Sequence, residues 1–492
     1  MGSNWQPKPG DKIVHRLRIK HTRLRRVLGV PALFSAAYGN VGSSIYYALG
    51  IVALIALGAT PVALAIAGIL FIFTALTYAE GTAMIPEAGG SASFARHGFN
   101  DLVGFISGWA LMLSYIVTIS ISAYTISPYL GYFYHPLKES LGIGTAVSMS
   151  IILLLMVINV IGVKESSRVN ILATVMDLAT QLSIIILGFI LIFTVSQLVG
   201  NMFGTGNWPP TWSQLMHGIP HHWPPITALV FGIAIASLAF TGVETVSQMA
   251  EETRQPEVRA PRTLILMTVV VLVMFAGISV VALSAMTPET LSSEWATDPV
   301  AGIAAHLPEG ILQTIYKPLV GVLAATILLI ATNAGLMGIS RLAFSLGAHQ
   351  QMPSALSRVH TRFRTPYISI ILFSLMAILV LVPGFFAPHF FESLGALYCF
   401  GSLLSFVLAH ASILALRVRK PELERPFKLA LNIKIKRYEI PLTALIGMIA
   451  TLGIWIVIVV TQHFSLFVGF GWMLLGLLAY YIYRRRARLP LT

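Results

Sequence analysis

Two carboxylates lie within long apolar stretches of this 492-residue chain, Asp177 in 169–198 and Glu244 in 225–249. A charged, unpaired carboxylate at the centre of a bilayer costs at least ~2.5 kcal/mol, so an ionisable residue in such a stretch is expected to have a function. A carboxylate removed from water can take up and release a proton or hold a cation. The alternative is a structural role, with Asp177 protonated or paired and Glu244 accepting hydrogen bonds from 42–44.

Small and polar residues interrupt the apolar stretch at 29–55. Most residue types in the run from Gly39 to Ser44 are poor helix formers. A break in a membrane-spanning helix is tolerated only where it lines a cavity, although Gly and Ser also allow close helix packing. Backbone amides at the start of the second half-helix would attract an anionic group such as a carboxylate. The candidate binding residues of this break are Gly39, Asn40, Gly42, Ser43 and Ser44.

A second interruption precedes Glu244. Free carbonyl groups from Ala239 to Thr241 would attract an ammonium group, and Phe240 is a candidate gate beside the break. A zwitterion that carries both charges on one carbon would fit between the two breaks, which points to an α-amino acid. The candidate binding residues here are Ala239, Phe240, Thr241 and Gly242.

The composition that surrounds these residues is typical of an integral membrane protein. Apolar residues make up 56% of the chain and charged residues 10%, against about 45–50% and about 25% in soluble domains. Apolar runs of about 20 residues predict twelve membrane-spanning helices, at 29–55, 62–85, 102–131, 144–163, 169–198, 225–249, 263–286, 316–347, 367–384, 390–416, 439–460 and 466–483. The interrupted first and sixth spans predict a five-plus-five inverted repeat with the substrate between them. The predicted fold class is an all-α membrane protein in which two further helices follow a ten-helix core.

The basic residues predict the orientation. Of the 32 Lys and Arg, all but Lys138 and Lys317 fall on one side if the N-terminus is cytoplasmic. This positive-inside pattern predicts cytoplasmic termini in the plasma membrane, and it explains the net charge of +13 through contacts with membrane lipids rather than nucleic acid. The predicted organisation is a basic N-terminus (1–28), a transport core (29–416, with repeats 29–198 and 225–416), a basic cytoplasmic loop (417–438), helices 11 and 12 (439–483) and a basic tail (484–492).

The sequence favours neither an enzyme nor an ATP-driven pump. It contains no Gly-rich phosphate loop, zinc-spaced His and Glu pattern or nucleophile elbow in a suitable context, so an ion gradient is the expected energy source. No cofactor or metal site is predicted, because His217, His221 and His222 of the 199–224 connection have no Cys or carboxylate beside them.

Several short stretches occur in a fixed order between residues 27 and 430. They are Gly39–Tyr46, Tyr78–Glu80 with Pro86–Ser91, Phe240–Glu244, Glu251–Pro256 with Pro261 and Arg262, and Arg419–Leu423 with Arg425–Phe427. As a set they resemble the amino acid-polyamine-organocation (APC) superfamily of permeases. The resemblance implies twelve helices and transport of amino acids or related amines by alternating access. It also implies that the substrate carboxylate meets the turn at 42–44 and that the amine meets carbonyls at 239–241.

One departure from that family bears on energy coupling. Asp177 stands where many members carry a buried Lys that is thought to replace a sodium ion. Asp177 is therefore predicted either to accept a proton or to hold a cation together with Thr332 or Asn333 of the eighth span. We expect import coupled to H⁺ (or Na⁺) by a monomer or homodimer. An exchanger, a potassium-uptake protein and a non-transporting sensor are the alternatives.

Three further ionisable residues receive structural predictions. Glu80 and Glu87 are expected to be gate or loop charges that pair with Arg96 or Arg168, and His410 is expected to be a bundle residue rather than a proton relay.

Overall fold

The computed structural model describes residues 26, 28–162, 167–363, 365–387, 390–435 and 438–491, which are predominantly α-helical. The predicted basic N-terminus at 1–28 lies outside the described residues except for 26 and 28.

The helices of the first half include both parts of the interrupted first span. They are α1 (Val30–Val41), α2 (Ile45–Ala56), α3 (Thr60–Met84), α4 (Ser91–Gly98), α5 (Asp101–Leu130), α6 (Pro136–Glu139), α7 (Leu141–Ile161), α8 (Ser167–Leu191), α9 (Val195–Phe203) and α10 (Trp212–His217). Short 3₁₀ turns occupy Gly42–Ser44 and Leu57–Ala59.

The second half begins with the interrupted sixth span. Its helices are α11 (Ile226–Ala236), α12 (Glu244–Gln248), α13 (Pro256–Ala285), α14 (Pro288–Ser293), α15 (Pro299–Ala305), α16 (Ile311–Ala348), α17 (Tyr367–Leu381), α18 (Phe390–Arg419), α19 (Leu442–Thr461) and α20 (His463–Arg486). The strands are β1 (Asn432–Ile435) and β2 (Tyr438–Pro441), and 3₁₀ turns occupy Ser237–Phe240, Ala250–Glu252, Ser354–Ser357 and Val382–Phe385.

Local sequence signals account for several helix ends. The side chain of Asn100 accepts a hydrogen bond from Val103 N at 3.0 Å and caps the start of α5, as Asn does at N-caps in general. Gly162 ends α7 with φ 76°, a conformation that favours Gly. Pro in the first turn of α1, α3 and α13 fits positions where the missing N–H has no helical partner.

Eleven helical segments among the described residues are long and apolar enough to cross a membrane, so this is an integral membrane protein. The first segment, Val30–Met84, has 55 residues, which as one straight helix would span about 80 Å against a hydrocarbon core of about 30 Å. The chain turns within it at Leu57, where φ is 46°. This turn supports the two passages predicted from the sequence, while the twelve-helix count and the inverted repeat stay predictions.

Helix α5 lies at the centre of the bundle. It packs against α16 and α18, and nearly all of its side chains are buried. Helix α20 lies at the periphery and is fastened to α5 by two indole hydrogen bonds, from Trp109 Nε1 to the carbonyl of Trp472 at 2.8 Å and from Trp472 Nε1 to the carbonyl of Trp109 at 2.9 Å. The polar residues described next lie mainly on or between α1, α2, α11 and α12.

Candidate substrate and coupling site

The interruption of the first span is a narrow one. Helix α1 ends at Val41, a 3₁₀ turn covers Gly42–Ser44, and α2 begins at Ile45 without any residue leaving the right-handed helical region. The amide of Gly42 donates to the carbonyl of Tyr38, and that of Ile45 donates to the carbonyls of Gly42 and Ser43. The first break is therefore confined to a single 3₁₀ turn.

The interruption of the sixth span is wider. After the 3₁₀ turn at Ser237–Phe240, Thr241 is extended, and Gly242 has φ 115° before α12 begins at Glu244. This φ favours Gly. A Cβ at Gly242 would also lie 2.8 Å from Val41 Cγ2, so Gly242 lets the two breaks approach each other closely.

Two hydrogen bonds join the breaks. The hydroxyl of Ser44 donates to the carbonyl of Ala239 at 2.9 Å, and the amide of Asn40 donates to Thr245 Oγ1 at 2.9 Å. The structure thus brings together the predicted residues Ser44 and Ala239. It also shows that the carbonyl assigned to a substrate amine already accepts a hydrogen bond from Ser44.

The other predicted binding residues make contacts within or beside their own break. Ser43 Oγ donates to the carbonyl of Asn40 at 3.0 Å, and Thr241 Oγ1 donates to the carbonyl of Leu238 at 2.8 Å. Gly39 packs closely on Ile330 of α16, since a Cβ there would lie 3.0 Å from Ile330 Cγ2.

Phe240 is buried in an aromatic cluster. Its ring centre lies 5.4 Å from that of Phe71 and 5.3 Å from that of Phe275. Such packing holds the ring between α3 and α13, which suits a side chain predicted to close one side of the site.

Glu244 lies fully buried at the start of α12. Its Oε2 accepts a hydrogen bond from the amide of Gly242 at 3.0 Å. The predicted structural alternative was that Glu244 accepts hydrogen bonds from residues 42–44. The hydrogen bond to Glu244 comes instead from Gly242, in the break of the sixth span.

Several buried polar atoms around the breaks find no hydrogen-bond partner among the described residues. They are Asn40 Oδ1, Tyr47 Oη, Tyr78 Oη, Ser247 Oγ, Gln248 Nε2 and Tyr398 Oη. Most buried polar groups in proteins are hydrogen-bonded, so unpaired ones call for a partner such as water or a ligand. Water or a small polar solute could satisfy these atoms.

Asp177 joins α8 to both halves of the first span. Tyr38, which precedes the 3₁₀ turn, donates its hydroxyl to Oδ2 at 2.9 Å, and Tyr46, which follows the turn, donates to Oδ1 at 2.5 Å. Gln181 adds a third donor, Nε2 to Oδ2 at 2.7 Å. A buried carboxylate therefore accepts hydrogen bonds from both sides of the break.

Thr332 and Asn333 lie on α16. Thr332 Oγ1 donates to the carbonyl of Leu328 at 2.8 Å, and Asn333 Oδ1 accepts a hydrogen bond from Asn159 Nδ2. The three donors to Asp177 come instead from α1, α2 and α8. A cation shared by Asp177 and α16 stays a prediction.

The expected partner of Glu80 was wrong. Glu80 pairs with neither Arg96 nor Arg168, because α18 brings Arg417 against it, with Nε to Oε1 at 2.8 Å and Nη2 to Oε2 at 2.7 Å. The amide of Leu429 also donates to Oε2 at 2.8 Å. Both charged side chains are almost completely buried.

The pairing of Glu87 with Arg96 is confirmed, with Nη2 to Oε2 at 2.6 Å, and His97 Nε2 lies 3.0 Å from Oε1. Burial alone would raise the pKa of this loop carboxyl, but the hydrogen bond from His97 and the charge of Arg96 together lower the pKa to about 2.

Both ring nitrogens of His410 have hydrogen-bond partners. Thr74 Oγ1 lies 3.2 Å from Nε2, and Thr77 Oγ1 lies 2.8 Å from Nδ1. These contacts fit the structural role expected for His410.

Sequence reasoning missed the two tyrosines that contact Asp177, although a signal was present. Tyr38 and Tyr46 each lie four residues from Gly42, and a separation of eight residues places both side chains near one helix face. Gln181 follows Asp177 by one helical turn, which also places the two on one face.

Comparisons with known proteins identify the family of this chain. The family described as amino acid permease matches residues 28–481. A branched-chain amino acid permease of Bacillus subtilis is 26% identical over 94% of this chain and 94% of its own length. A methylthioribose transporter of the same organism is 24% identical over 99% of each chain, and the human cystine/glutamate transporter is 24% identical over 85% of this chain and 76% of its own length. The resemblance to permeases is confirmed, and these relatives are named as transporters rather than enzymes.

Proposed function

Because this chain belongs to the amino acid permease family, we propose that it is a secondary active transporter that imports amino acids or related amines across the plasma membrane by alternating access, coupled to H⁺ or Na⁺. The relatives' names include branched-chain amino acids, cystine and glutamate, and methylthioribose. These names support an amino acid or a related small solute and leave the substrate's side chain open.

The observation that carries the proposal is the position of Asp177 between the two halves of the first span. The Tyr38 and Tyr46 hydroxyls, on opposite sides of the 3₁₀ turn, donate to different oxygens of one carboxylate. An ionised carboxylate is purely an acceptor, whereas a protonated one must also donate. Protonation, or the arrival of a cation, therefore changes how both half-helices are held, and it links an ion gradient to movement about the break.

The substrate is proposed to lie beside the two breaks. The unpaired atoms Asn40 Oδ1, Tyr47 Oη and Tyr398 Oη offer hydrogen-bonding partners there, and the buried carboxylate of Glu244 can attract the substrate's ammonium group or exchange a proton. Inward movement is assigned because two buried carboxylates suit the uptake of positive charge driven by a membrane potential that is negative inside.

The test is uptake into liposomes that contain the purified full-length protein. A thermal-shift screen of the twenty amino acids, the polyamines, Na⁺ and K⁺ first selects the substrate, because a ligand of the folded state raises the melting temperature. Radiolabelled substrate is then followed with an inward H⁺ or Na⁺ gradient and an interior-negative potential. We expect accumulation above equilibrium only when one of the two ion gradients is present.

Asp177→Asn and Glu244→Gln should each abolish accumulation while retaining exchange of internal for external substrate. Glu289→Gln is the matched control, because it neutralises an exposed carboxylate in a connection between spans. Unchanged accumulation in both site variants would refute the coupling assignment. Flux that requires internal substrate in the wild type would indicate an exchanger, and stabilisation by K⁺ alone would indicate potassium uptake.

A further inference from the structure

A second polar feature lies where α18 meets the connection to α19. An open cavity of about 430 Å³ is lined there by Arg417, Pro421, Leu423, Arg425, Lys428 and Glu439. Three of these side chains are cationic and one is a carboxylate, so the lining favours an anion. The cavity belongs to the loop that is predicted to be cytoplasmic and shares no residue with the proposed transport site.

The positions of the cations are fixed by the fold. Glu80 holds the Arg417 guanidinium through two hydrogen bonds, and the side chain of Arg417 is only 4% exposed. Its Nη1 lies 3.6 Å from Glu439 Oε2, and Glu439 also pairs with Lys428. These contacts orient the cations before any ligand arrives, which lowers the conformational cost of binding.

One N–H of Arg425 makes no hydrogen bond among the described residues and has only a longer ion-pair contact with Glu80. The Arg425 side chain is 8% exposed, and its Nη1 and Nη2 donate to the backbone carbonyls of Leu416, Lys420, Pro421 and Leu423. Its buried Nε finds no hydrogen-bond acceptor among the described residues, and Glu80 Oε1 lies 3.7 Å away. A buried guanidinium N–H without an acceptor marks a place where an anionic oxygen would be stabilised.

The hairpin beside the cavity has two different faces. Strands β1 and β2 pair with Lys434 opposite Glu439 and Ile433 opposite Ile440, and alternation along a strand puts these two pairs on opposite faces. Ile433 is 47% exposed. A charged face next to an exposed apolar one suits the boundary between lipid headgroups and hydrocarbon.

We propose that this cavity binds the phosphate group of an anionic ligand, and that the amphipathic hairpin favours an anionic phospholipid over a soluble phosphate as the source. Guanidinium groups bind phosphate oxygens through strong charge-assisted hydrogen bonds. Basic pockets between membrane helices on the cytoplasmic side are suited to acidic headgroups.

The experiment titrates full-length protein in an uncharged detergent with dihexanoyl phosphatidylglycerol, dihexanoyl phosphatidylcholine or inorganic phosphate, and follows binding by calorimetry. Lys428→Gln should raise the Kd for phosphatidylglycerol about fivefold, as expected for one lysine at a headgroup site. Lys434→Gln is the matched control. Lys434 also contacts Glu439, at 3.8 Å, but it does not line the cavity, so its loss should change the Kd less than about twofold. Glu439→Gln should lower the Kd, because it removes the only carboxylate among the described residues that line the cavity.

Competition between inorganic phosphate and phosphatidylglycerol, with the lipid binding more tightly, would support the lipid as the source. Binding of inorganic phosphate alone would support a soluble ligand for the same site. The proposal is overturned if neither probe binds, if phosphatidylcholine binds as tightly as phosphatidylglycerol, or if Lys428→Gln and Lys434→Gln weaken binding equally. None of these results depends on transport, so they leave the proposed function to its own test.

Discussion

Replacement of Tyr46 by Phe tests whether Asp177 holds the two halves of the first span together. The substitution removes the hydroxyl that donates to Asp177 Oδ1 at 2.5 Å. It keeps the ring, which packs edge-on against Tyr129 with ring centres 5.3 Å apart. Asp177 then retains Tyr38 and Gln181 as donors, both of them on Oδ2. The first half-helix stays attached to the carboxylate while the second is released.

The expected magnitude follows from the chemistry of this contact. A hydrogen bond to a charged group contributes about 1.5–3 kcal/mol, against about 0.5–1.5 kcal/mol for a neutral one. Tyr46→Phe should therefore lower the free energy of unfolding by about 1.5–3 kcal/mol in the wild-type background. In the Asp177→Asn background the acceptor is neutral, so Tyr46→Phe should lower the free energy of unfolding less than in wild type. The difference should be about 1 kcal/mol or more. This difference is the coupling energy between the two residues.

The assay is a double-mutant cycle of Tyr46→Phe and Asp177→Asn. Purified proteins are unfolded by sodium dodecyl sulfate in mixed micelles, and tryptophan fluorescence reports the transition. Substrate accumulation in liposomes is measured for the same four proteins. Tyr124→Phe is the control, because it removes the hydroxyl of another largely buried tyrosine, on α5, that packs on Phe390 and Phe391 rather than on Asp177.

Additive effects within about 0.3–0.5 kcal/mol would mean that the two residues do not interact energetically. A stability loss in Tyr124→Phe equal to that in Tyr46→Phe would attribute the effect to hydroxyl removal in general. Tyr46→Phe could also accumulate substrate fully while the cycle shows the expected coupling energy of about 1 kcal/mol or more. That result would make the contact a structural one and refute its role in transport.

Three further substitutions test the rest of the fold by the same unfolding assay. Glu80→Gln should cost about 3–5 kcal/mol because it leaves the buried guanidinium of Arg417 with only its longer contact to the Glu439 carboxylate, and adding Arg417→Met should recover part of that loss. Gly242→Ala should cost about 1–3 kcal/mol because a side chain is strained there, at φ 115°, whereas Gly453→Ala, in open space, should not lower stability. Glu87 has its pKa lowered from 4.5 to about 2, so its ion pair stabilises the fold above pH 4.5 and is lost as the pH falls towards 2. Melting temperatures at pH 7 and pH 3 should therefore differ more in wild type than in Glu87→Gln, which removes about 1 kcal/mol at pH 7.

The positions of the helix breaks could be predicted from the sequence, but their shapes could not. Gly, Asn and Ser in the first span, and Thr and Gly in the sixth, are poor helix formers, and they mark where a break is tolerated. The run at Gly42–Ser44 nevertheless keeps a 3₁₀ turn, whereas the chain at Gly242 leaves the helical region altogether. The difference depends on what packs against each run, which no local pattern encodes.

The position of Asp177 inside the helix bundle could likewise be predicted, but its pairing with two phenol donors could not. A lone carboxylate in an apolar stretch is conspicuous, because its cost in the membrane must be offset. Its phenol donors are 139 and 131 residues away in the chain, and the partner of Glu80 is 337 residues away. Partners at such distances are set by helix packing, and spacing within one helix gives no information about them.

Gly42 bears both on the shape of the first helix break and on the contact between Tyr38 and Asp177. From the sequence it is a turn residue that leaves its backbone open to a substrate carboxylate. In the structure a Cβ at this position would lie 2.3–2.6 Å from the ring of Tyr38, so the missing side chain makes room for the phenol that reaches Asp177. Under the proposed function, one glycine would thus serve both the turn that receives the substrate and the contact between Tyr38 and Asp177. Loss of substrate binding in a Gly42 variant would therefore not by itself locate the substrate at the turn. It would do so only if Tyr38→Phe, which removes the hydroxyl and leaves the turn intact, still bound substrate.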